Sequence, residues 1–399
     1  MRGGRRSLGL ALAMMLLAKA ALHGQTAATP PLQQLDSKYT REFSKAIHQA
    51  VWDRVIAGAT WHVEHRGVWR EGCYGFRAKA PEKESISQDT IFDLASLTKV
   101  VATTPSIMLL VEQGRVKLDA PVSTYIPQFA GGVRERITVR HLMVHTSGLK
   151  PGLPRNPAWS GYSSGMGWAC VAFPTTDPDE KFRYSDINFI LLGEIVRRVS
   201  GEPLDVFAAK HIFQPLGMKD TGFNPPASWR PRIAPTEKDE TEILLRGVVH
   251  DPTSRRMGGV AGHAGLFSTV ADVSRYARMI LNNGELDGVR VLKPETVRLM
   301  TTPHTPAGMQ DKRALGWDMD TPFSKPRGNF GATSFGHTGF TGTCLWIDPE
   351  SRSFYVFLSS RLHEQAKGAD VRKLYLKLGD RASKALLSIP ATPQAAKSS

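Results

Sequence analysis

Ser96-Leu97-Thr98-Lys99 places a hydroxyl and an amine three residues apart. On a helix that spacing puts both on one face. Serine is a weak nucleophile until a base takes its proton. A lysine drawn out of water gives up its own proton more readily than one in solution, and can be that base. A serine in the first turn also gains backbone N–H groups and a dipole suited to developing negative charge. Ser96 is therefore the candidate nucleophile and Lys99 its candidate base. A second match, Ser147-Gly148-Leu149-Lys150, runs into Pro151 and reads as a loop. There the two side chains have no reason to meet.

Two further segments could complete such a site. Tyr184-Ser185-Asp186 precedes an apolar helical run, and a phenol near a Ser–Lys pair can relay protons. Read alone, the triplet is a core tyrosine with a helix-capping aspartate. Gly336-His337-Thr338-Gly339-Phe340 leads into the apolar Cys344-Leu345-Trp346-Ile347. A strand edge of small residues can lie against a substrate and pair with its backbone. A backbone N–H there could join that of Ser96 around an oxyanion.

Other patterns are weaker. Gly161-Tyr162-Ser163-Ser164-Gly165 fits the G-x-S-x-G elbow, but no hydrophobic strand precedes it. It reads as a mobile loop rimming a cleft. His141 and His145 are four apart, as zinc ligands on a helix would be, yet Leu142 stands where the catalytic glutamate belongs. They read as structural. His250-Asp251 and His263 flank a glycine-rich stretch with no P-loop lysine, and read first as a buried hydrogen-bonded pair.

Taken in order, these motifs resemble the β-lactamase family in its class C-like branch. That branch also holds D-alanyl-D-alanine carboxypeptidases, D-aminopeptidases and carboxylesterases. Its members carry S-x-x-K, then Y-x-N, then K-T-G or H-x-G. Here these correspond to Ser96 to Lys99, Tyr184 to Asp186, and His337 to Gly339, with separations of 88 and 153 residues (184 − 96 and 337 − 184). Ile137 to Leu149 and Gly262 to Asp272 are similar as well, so the resemblance spans roughly residues 40 to 385. It implies acyl transfer with Ser96, Lys99 and Tyr184 as catalytic residues, and no metal or cofactor. Asp186, His337, Thr338, Gly339 and Phe340 would then bind substrate.

Two positions depart from the pattern. Asp186 replaces an asparagine, and a carboxylate only accepts hydrogen bonds. It either holds Lys99 charged or contacts a donor on the substrate. His337 replaces a lysine whose permanent charge would face a substrate carboxylate, and a histidine is only partly charged near neutral pH. Both changes weaken the expectation of penicillin turnover. The resemblance implies a serine hydrolase acting on an amide or ester, of D-amino-acid peptide, peptidoglycan or small-ester type. The alternatives are a true β-lactamase, or a penicillin- or muropeptide-binding module that acylates without turnover.

The elements that must hold these residues can be read from periodicity. Lys38 to Val55, Asn188 to Val199, Val270 to Leu281 and Asp370 to Leu387 read as helices, and Ser96 to Gly114 as a helix kinked at Pro105. Ala59 to Gly75 reads as a hairpin turning at Arg66-Gly67. Gly336 to Asp348 and Ser353 to Ser360 read as strands, and Thr90 to Leu94 as a short strand or loop leading to Ser96. The order predicts an α+β fold, with one antiparallel sheet built from both chain ends, flanked by helices, and a helical lobe inserted between them. A cleft falls where sheet and lobe meet.

The N-terminus reads as a signal peptide over residues 1–24. Arg2, Arg5 and Arg6 precede Leu8 to Ala18, an apolar run of eleven residues. That is short of the about 20 needed to span a bilayer. Residues 25–36 read as a linker, 37–389 as the hydrolase domain and 390–399 as a disordered tail. A periplasmic or secreted protein follows, with no stable membrane insertion once the leader is removed. Net charge is +14, or +10 without the four basic leader residues. No dense basic run with interleaved aromatics supports nucleic-acid binding. The expected partners are a small molecule or peptide, cell-wall fragments among them. Three cysteines, Cys73, Cys170 and Cys344, allow one disulfide and one free thiol in an exported protein.

Overall fold

The computed structural model describes residues 33–389, apart from 365, 367 and 368. The expected signal peptide and C-terminal tail lie outside the described residues. Strands buried on both faces form the centre of the sheet. Its strands are β1 (Gln33–Gln34), β2 (Gly58–His65), β3 (Val68–Ala78), β4 (Lys312–Arg313), β5 (Asp318–Asp320), β6 (Phe335–Gly339), β7 (Thr343–Asp348) and β8 (Ser353–Ser359). They lie in the order β1-β3-β2-β8-β7-β6-β5-β4, antiparallel except for β1 on β3, with Glu84–Ser85 added beside β3. Both chain ends thus contribute. β1 falls inside the segment expected to be a linker, and Leu35 beyond it is buried.

Successive side chains of a strand point to opposite faces. Trp61 of β2, Trp346 of β7, and Tyr355 and Phe357 of β8 therefore share one face. There they pack with Phe43 and Ile47 of α1 (Ser37–Trp52) and with Leu378 of the closing C-terminal helix (Val371–Leu387). Leu345, Ile347, Phe354 and Val356 point the other way, into the helical lobe between β3 and β4. The β2–β3 hairpin turns at Arg66 (φ 51°) and Gly67 (φ 82°), both left-handed as a tight two-residue turn requires.

Inside the lobe, α2 (Thr104–Glu112), α3 (Asp186–Ser200) and α4 (Val270–Leu281) bury their apolar stripes in one core. The long helix expected from Ser96 runs from Leu97 to Glu112: it opens helically at Leu97–Thr98, widens to a π-helical turn over Lys99–Thr103, and continues as α2 with Pro105 in its first turn. Gly161 to Gly165, expected to be a mobile loop, instead opens a helix (Tyr162–Val171) whose Tyr162 hydroxyl donates to the buried Glu194 (2.7 Å). Gly336 to Asp348, expected as one strand, is a hairpin turning over residues 340–342. All three cysteines are free thiols: Cys73 is exposed, while Cys170 and Cys344 are buried apart from it.

The turn into Ser96 sits at the seam of sheet and lobe. Phe92–Asp93 pairs with Leu266–Ser268 of the lobe. From the sheet side, Thr341 Oγ1 donates to Asp93 O (2.7 Å) and Thr343 Oγ1 to Leu94 O (3.0 Å). Here β6 approaches so closely that a Cβ on Gly339 would collide with Leu94 O and Thr343 Oγ1. Gly339→Ala should cost about 1–3 kcal/mol of stability by overpacking. Gly222→Ala, whose Cβ would meet nothing within 4 Å, should stay within about 0.5 kcal/mol of wild type. Urea midpoints of the two variants check this, and equal midpoints would contradict the close approach.

Candidate active site

Ser96 follows Ala95, a non-glycine residue at φ 45°. That conformation is costly for a residue with a Cβ. The buried Asp93 carboxylate holds it, accepting from the Ala95 N–H (2.8 Å) and the His250 N–H (2.7 Å). Burial pushes the Asp93 carboxyl above its usual range despite both donors. One turn on, Lys99 is fully buried. Its Nζ donates to Ser96 Oγ (3.0 Å) and to His263 O (2.9 Å), and pairs with Asp186 Oδ1 at 2.8 Å. Burial pushes the Lys99 ammonium toward losing its proton, but Asp186 and Tyr184 outweigh it and hold the pKa above the ordinary lysine value. Of the two roles open to Asp186, the geometry selects the one that keeps Lys99 charged. The expectation that burial frees Lys99 of its proton is corrected: at rest it is an ammonium.

Tyr184 lies over this pair, its ring centroid 5.1 Å from Lys99 Nζ. Beneath it, His145 stacks at 4.4 Å and 29°. His145 Nδ1 accepts from the Ser185 N–H (3.1 Å) and faces Asn188 Nδ2 at 3.1 Å. A backbone N–H can only donate, so the His145 proton is on Nε2. Burial, Arg313 and Lys99 keep the ring neutral, well below the ordinary histidine range. His145, read from sequence as structural, underlies the tyrosine and ties down the segment that carries Tyr184 and Asp186. His141, by contrast, bonds Asp179 (3.1 Å) and closes a capping box with Thr138. Ser147 donates to Asn188 Oδ1 (2.6 Å) and Lys150 is exposed, so that second Ser–Lys match is not assembled.

β6 brings His337, Thr338 and Gly339 to the same cleft, with Phe340 just beyond. His337 Nδ1 donates to Thr338 O (2.8 Å), which leaves Nε2 as an acceptor. Burial, Arg313 and Lys99 hold His337 well below the ordinary range, so it is neutral rather than partly charged. Arg313 was not legible in sequence, being a lone arginine in no motif. It is fully buried at the cleft wall, with Nη2 donating to Gly316 O (2.9 Å) and Nη1 3.6 Å from Asp318.

The histidine segment splits between two roles. His263 Nε2 bonds Asp251 Oδ1 (2.8 Å), the buried pair the sequence suggested, and Asp251 caps Pro252–Arg256. Burial pushes the Asp251 carboxyl up, but His263, the Ser254 N–H and Lys99 hold it well below the usual range. The His263 carbonyl that grips Lys99 is a backbone group, so no side-chain pattern could announce it. It is set in place where Thr103 Oγ1 donates to Gly262 O (2.7 Å) and Gly262 packs on the Phe189 carbonyl too tightly for any Cβ. Asp186, Asp251 and His263 bring ligand atoms within 4.8 Å of one another. With an ammonium 2.8 Å from Asp186, that trio makes a poor cation cage.

The cleft has two lobes around Ser96. One, of about 630 Å³, includes Arg313, His337 and Arg361. The other, of about 920 Å³, includes Asp186, Asp251 and His263. Ser163 lines neither.

A family model described as Beta-lactamase matches residues 43–379. The chain is 33% identical over 309 residues to a protein of Escherichia coli (strain K12) named "Putative D-alanyl-D-alanine carboxypeptidase", covering 69% of this chain and 70% of that one. It is 30% identical over 390 residues to the N-acetylmuramyl-L-alanine amidase of Bacillus subtilis (strain 168), covering 87% and 85%. Among solved structures, a penicillin-binding protein homologue from Caulobacter crescentus superposes with TM-score 0.72 at 21% identity, covering 87% of this chain and 98% of that one.

If Asp186 holds Lys99 charged, Asp186→Asn should lower the Lys99 pKa. The rate at which a serine-directed fluorophosphonate labels Ser96 should then rise at lower pH than in wild type. The check is labelling rate against pH for both proteins, and superimposed profiles would contradict the assignment.

Proposed function

The chain belongs to the beta-lactamase family, and from that premise we propose that this serine hydrolase cleaves an amide of a peptidoglycan-derived peptide through an acyl-enzyme on Ser96. The observation that carries the reading is the fully buried Lys99, bonded at once to Ser96 Oγ, Asp186 and the His263 carbonyl. Such a lysine has no other evident task than to handle the Ser96 proton.

The steps follow from the resting charges. Substrate entering the cleft displaces water, and a dry site weakens the case for separated charges. The Lys99 proton then passes to Asp186 across their 2.8 Å contact. The freed amine takes the Ser96 proton as Oγ attacks the carbonyl carbon. Backbone N–H groups of Ser96 and Phe340 receive the oxyanion. Tyr184 passes a proton to the departing nitrogen and recovers one through Lys99. Water then attacks the ester; Lys99 takes its proton and returns one to Ser96 Oγ as the acid leaves, and Asp186 hands its proton back to Lys99, restoring the resting pair.

A cell-wall peptide is the favoured substrate because both named relatives carry peptidoglycan amides in their names. The leader-like N-terminus favours a periplasmic or secreted site of action. Among the described residues no helix is long and apolar enough to cross a membrane. Neutral His337 removes the fixed charge that would draw a penicillin carboxylate, which argues against efficient β-lactam turnover.

Ser96→Ala should lower p-nitrophenyl butyrate hydrolysis and release of amino acid or peptide from purified muropeptides by roughly 10⁴-fold or more. Tyr184→Phe should lower the muropeptide rate by about 10²–10⁴-fold. Full activity in Ser96→Ala would remove it as nucleophile, and a normal rate in Tyr184→Phe would remove the phenol from the proton path. A stable acyl adduct without turnover on any muropeptide would favour a binding module instead.

A further inference from the structure

Three residues line both lobes of the cleft: Ser96, Tyr184 and Phe340. Ser96 and Tyr184 are accounted for by the chemistry. The Phe340 ring is not, since only its backbone N–H has a place in the proposed oxyanion site. Phe340 is 59% exposed, an unusual position for a phenylalanine at the end of a buried strand.

It is nevertheless held fast. One face stacks on His250, with centroids 5.5 Å apart and planes within 19°. The Arg361 guanidinium lies over the ring at 4.3 Å from its centroid, a cation–π contact. Each flanking group is itself anchored. His250 Nε2 meets Glu237 at 2.6 Å, its backbone N–H is bonded to Asp93, and Arg361 Nε donates to Phe340 O. The result is a fixed fin of imidazole, phenyl and guanidinium standing beside the nucleophile.

The two spaces that share this fin differ in size and charge. In the smaller, Asp318 faces Arg313 and Asp370 pairs with Arg372, while Arg361 has no ion pair among the described residues. In the larger, five carboxylates (Asp186, Glu237, Asp239, Glu240 and Asp251) face four basic residues. A substrate that reaches into both spaces while reacting at Ser96 would pass the ring on opposite sides.

We propose that the Phe340 side chain is a specificity-determining partition. It separates a smaller lobe that takes the acid-bearing half of the substrate from a larger lobe that takes an uncharged or amine-bearing half. Its bulk limits the width of group that can stand beside the scissile carbonyl. This rests on the Ser96 acyl-enzyme reading and adds which feature chooses among acyl groups.

The test compares kcat/KM for p-nitrophenyl phenylacetate and p-nitrophenyl acetate in wild type, Phe340→Ala, Phe340→Leu and His250→Ala. Removing the ring merges the lobes, so the phenylacetate-to-acetate ratio should rise by about 10-fold or more in Phe340→Ala. Phe340→Leu, which keeps apolar bulk at the position, should rise less. His250→Ala, which leaves the ring but removes its support, should shift in the same direction. Thermal midpoints of the variants verify folding. An unchanged ratio in a folded Phe340→Ala overturns the partition. Ester hydrolysis surviving Ser96→Ala would instead strike the underlying reading, so the two failures are separable.

Discussion

A lysine ammonium with no contact to solvent governs this structure. Removing such a charge from water costs several kcal/mol even after relaxation, unless a counter-charge and hydrogen-bond acceptors replace the lost hydration. Lys99 obtains them from three separate places: Asp186 at the start of α3, the carbonyl of His263 in the glycine-rich loop, and Ser96 one turn before it. Each of those has to be set by further packing. Gly262 lies against the Phe189 carbonyl, His145 grips Ser185 and Asn188, and Asp93 holds the turn into Ser96. The site is therefore the meeting point of elements that share one charge: displacing Asp186 would leave that charge unpaired, and displacing Ser96 or the His263 carbonyl would strip it of a hydrogen-bond acceptor.

The location at the seam between sheet and lobe follows from the same need. The nucleophile belongs to the lobe, whereas the strand that faces it belongs to the sheet. Thr341 and Thr343 bind the two by donating to the backbone of Asp93 and Leu94. Gly339 permits the approach because it lacks a Cβ. The sheet is closed on its far side by Trp346, Tyr355 and Phe357 packed under two helices. β6 is thus a firm edge against which a substrate can be held.

Much of this was readable before the structure. The Ser96–Lys99 spacing, the amphipathic runs of α1, α3 and α4, and the Arg66-Gly67 turn are local signals, and local signals survive folding. The errors have local causes as well. Gly161 to Gly165 carries two glycines and two serines, so propensity argued against a helix that tertiary contact of Tyr162 with Glu194 sustains. The Phe340–Gly342 turn lacks the usual turn dipeptides, so from sequence the hairpin reads as one strand. What sequence could not give is electrostatic or remote. Lys99 charged, His337 neutral, Arg313 in the cleft wall and the His263 carbonyl all depend on residues far apart in the chain. The alternative roles of Asp186 could be separated only by its 2.8 Å distance to Lys99.

The most direct measurement is the mass of the protein trapped in mid-reaction. Protein mixed with p-nitrophenyl butyrate and quenched in acid within the first turnovers would be digested and mapped. The account predicts a mass gain equal to one butyryl group on the peptide containing Ser96, absent from Ser96→Ala. Turnover with no adduct on that peptide, or a butyryl group on another residue whose substitution stops the reaction, would contradict it.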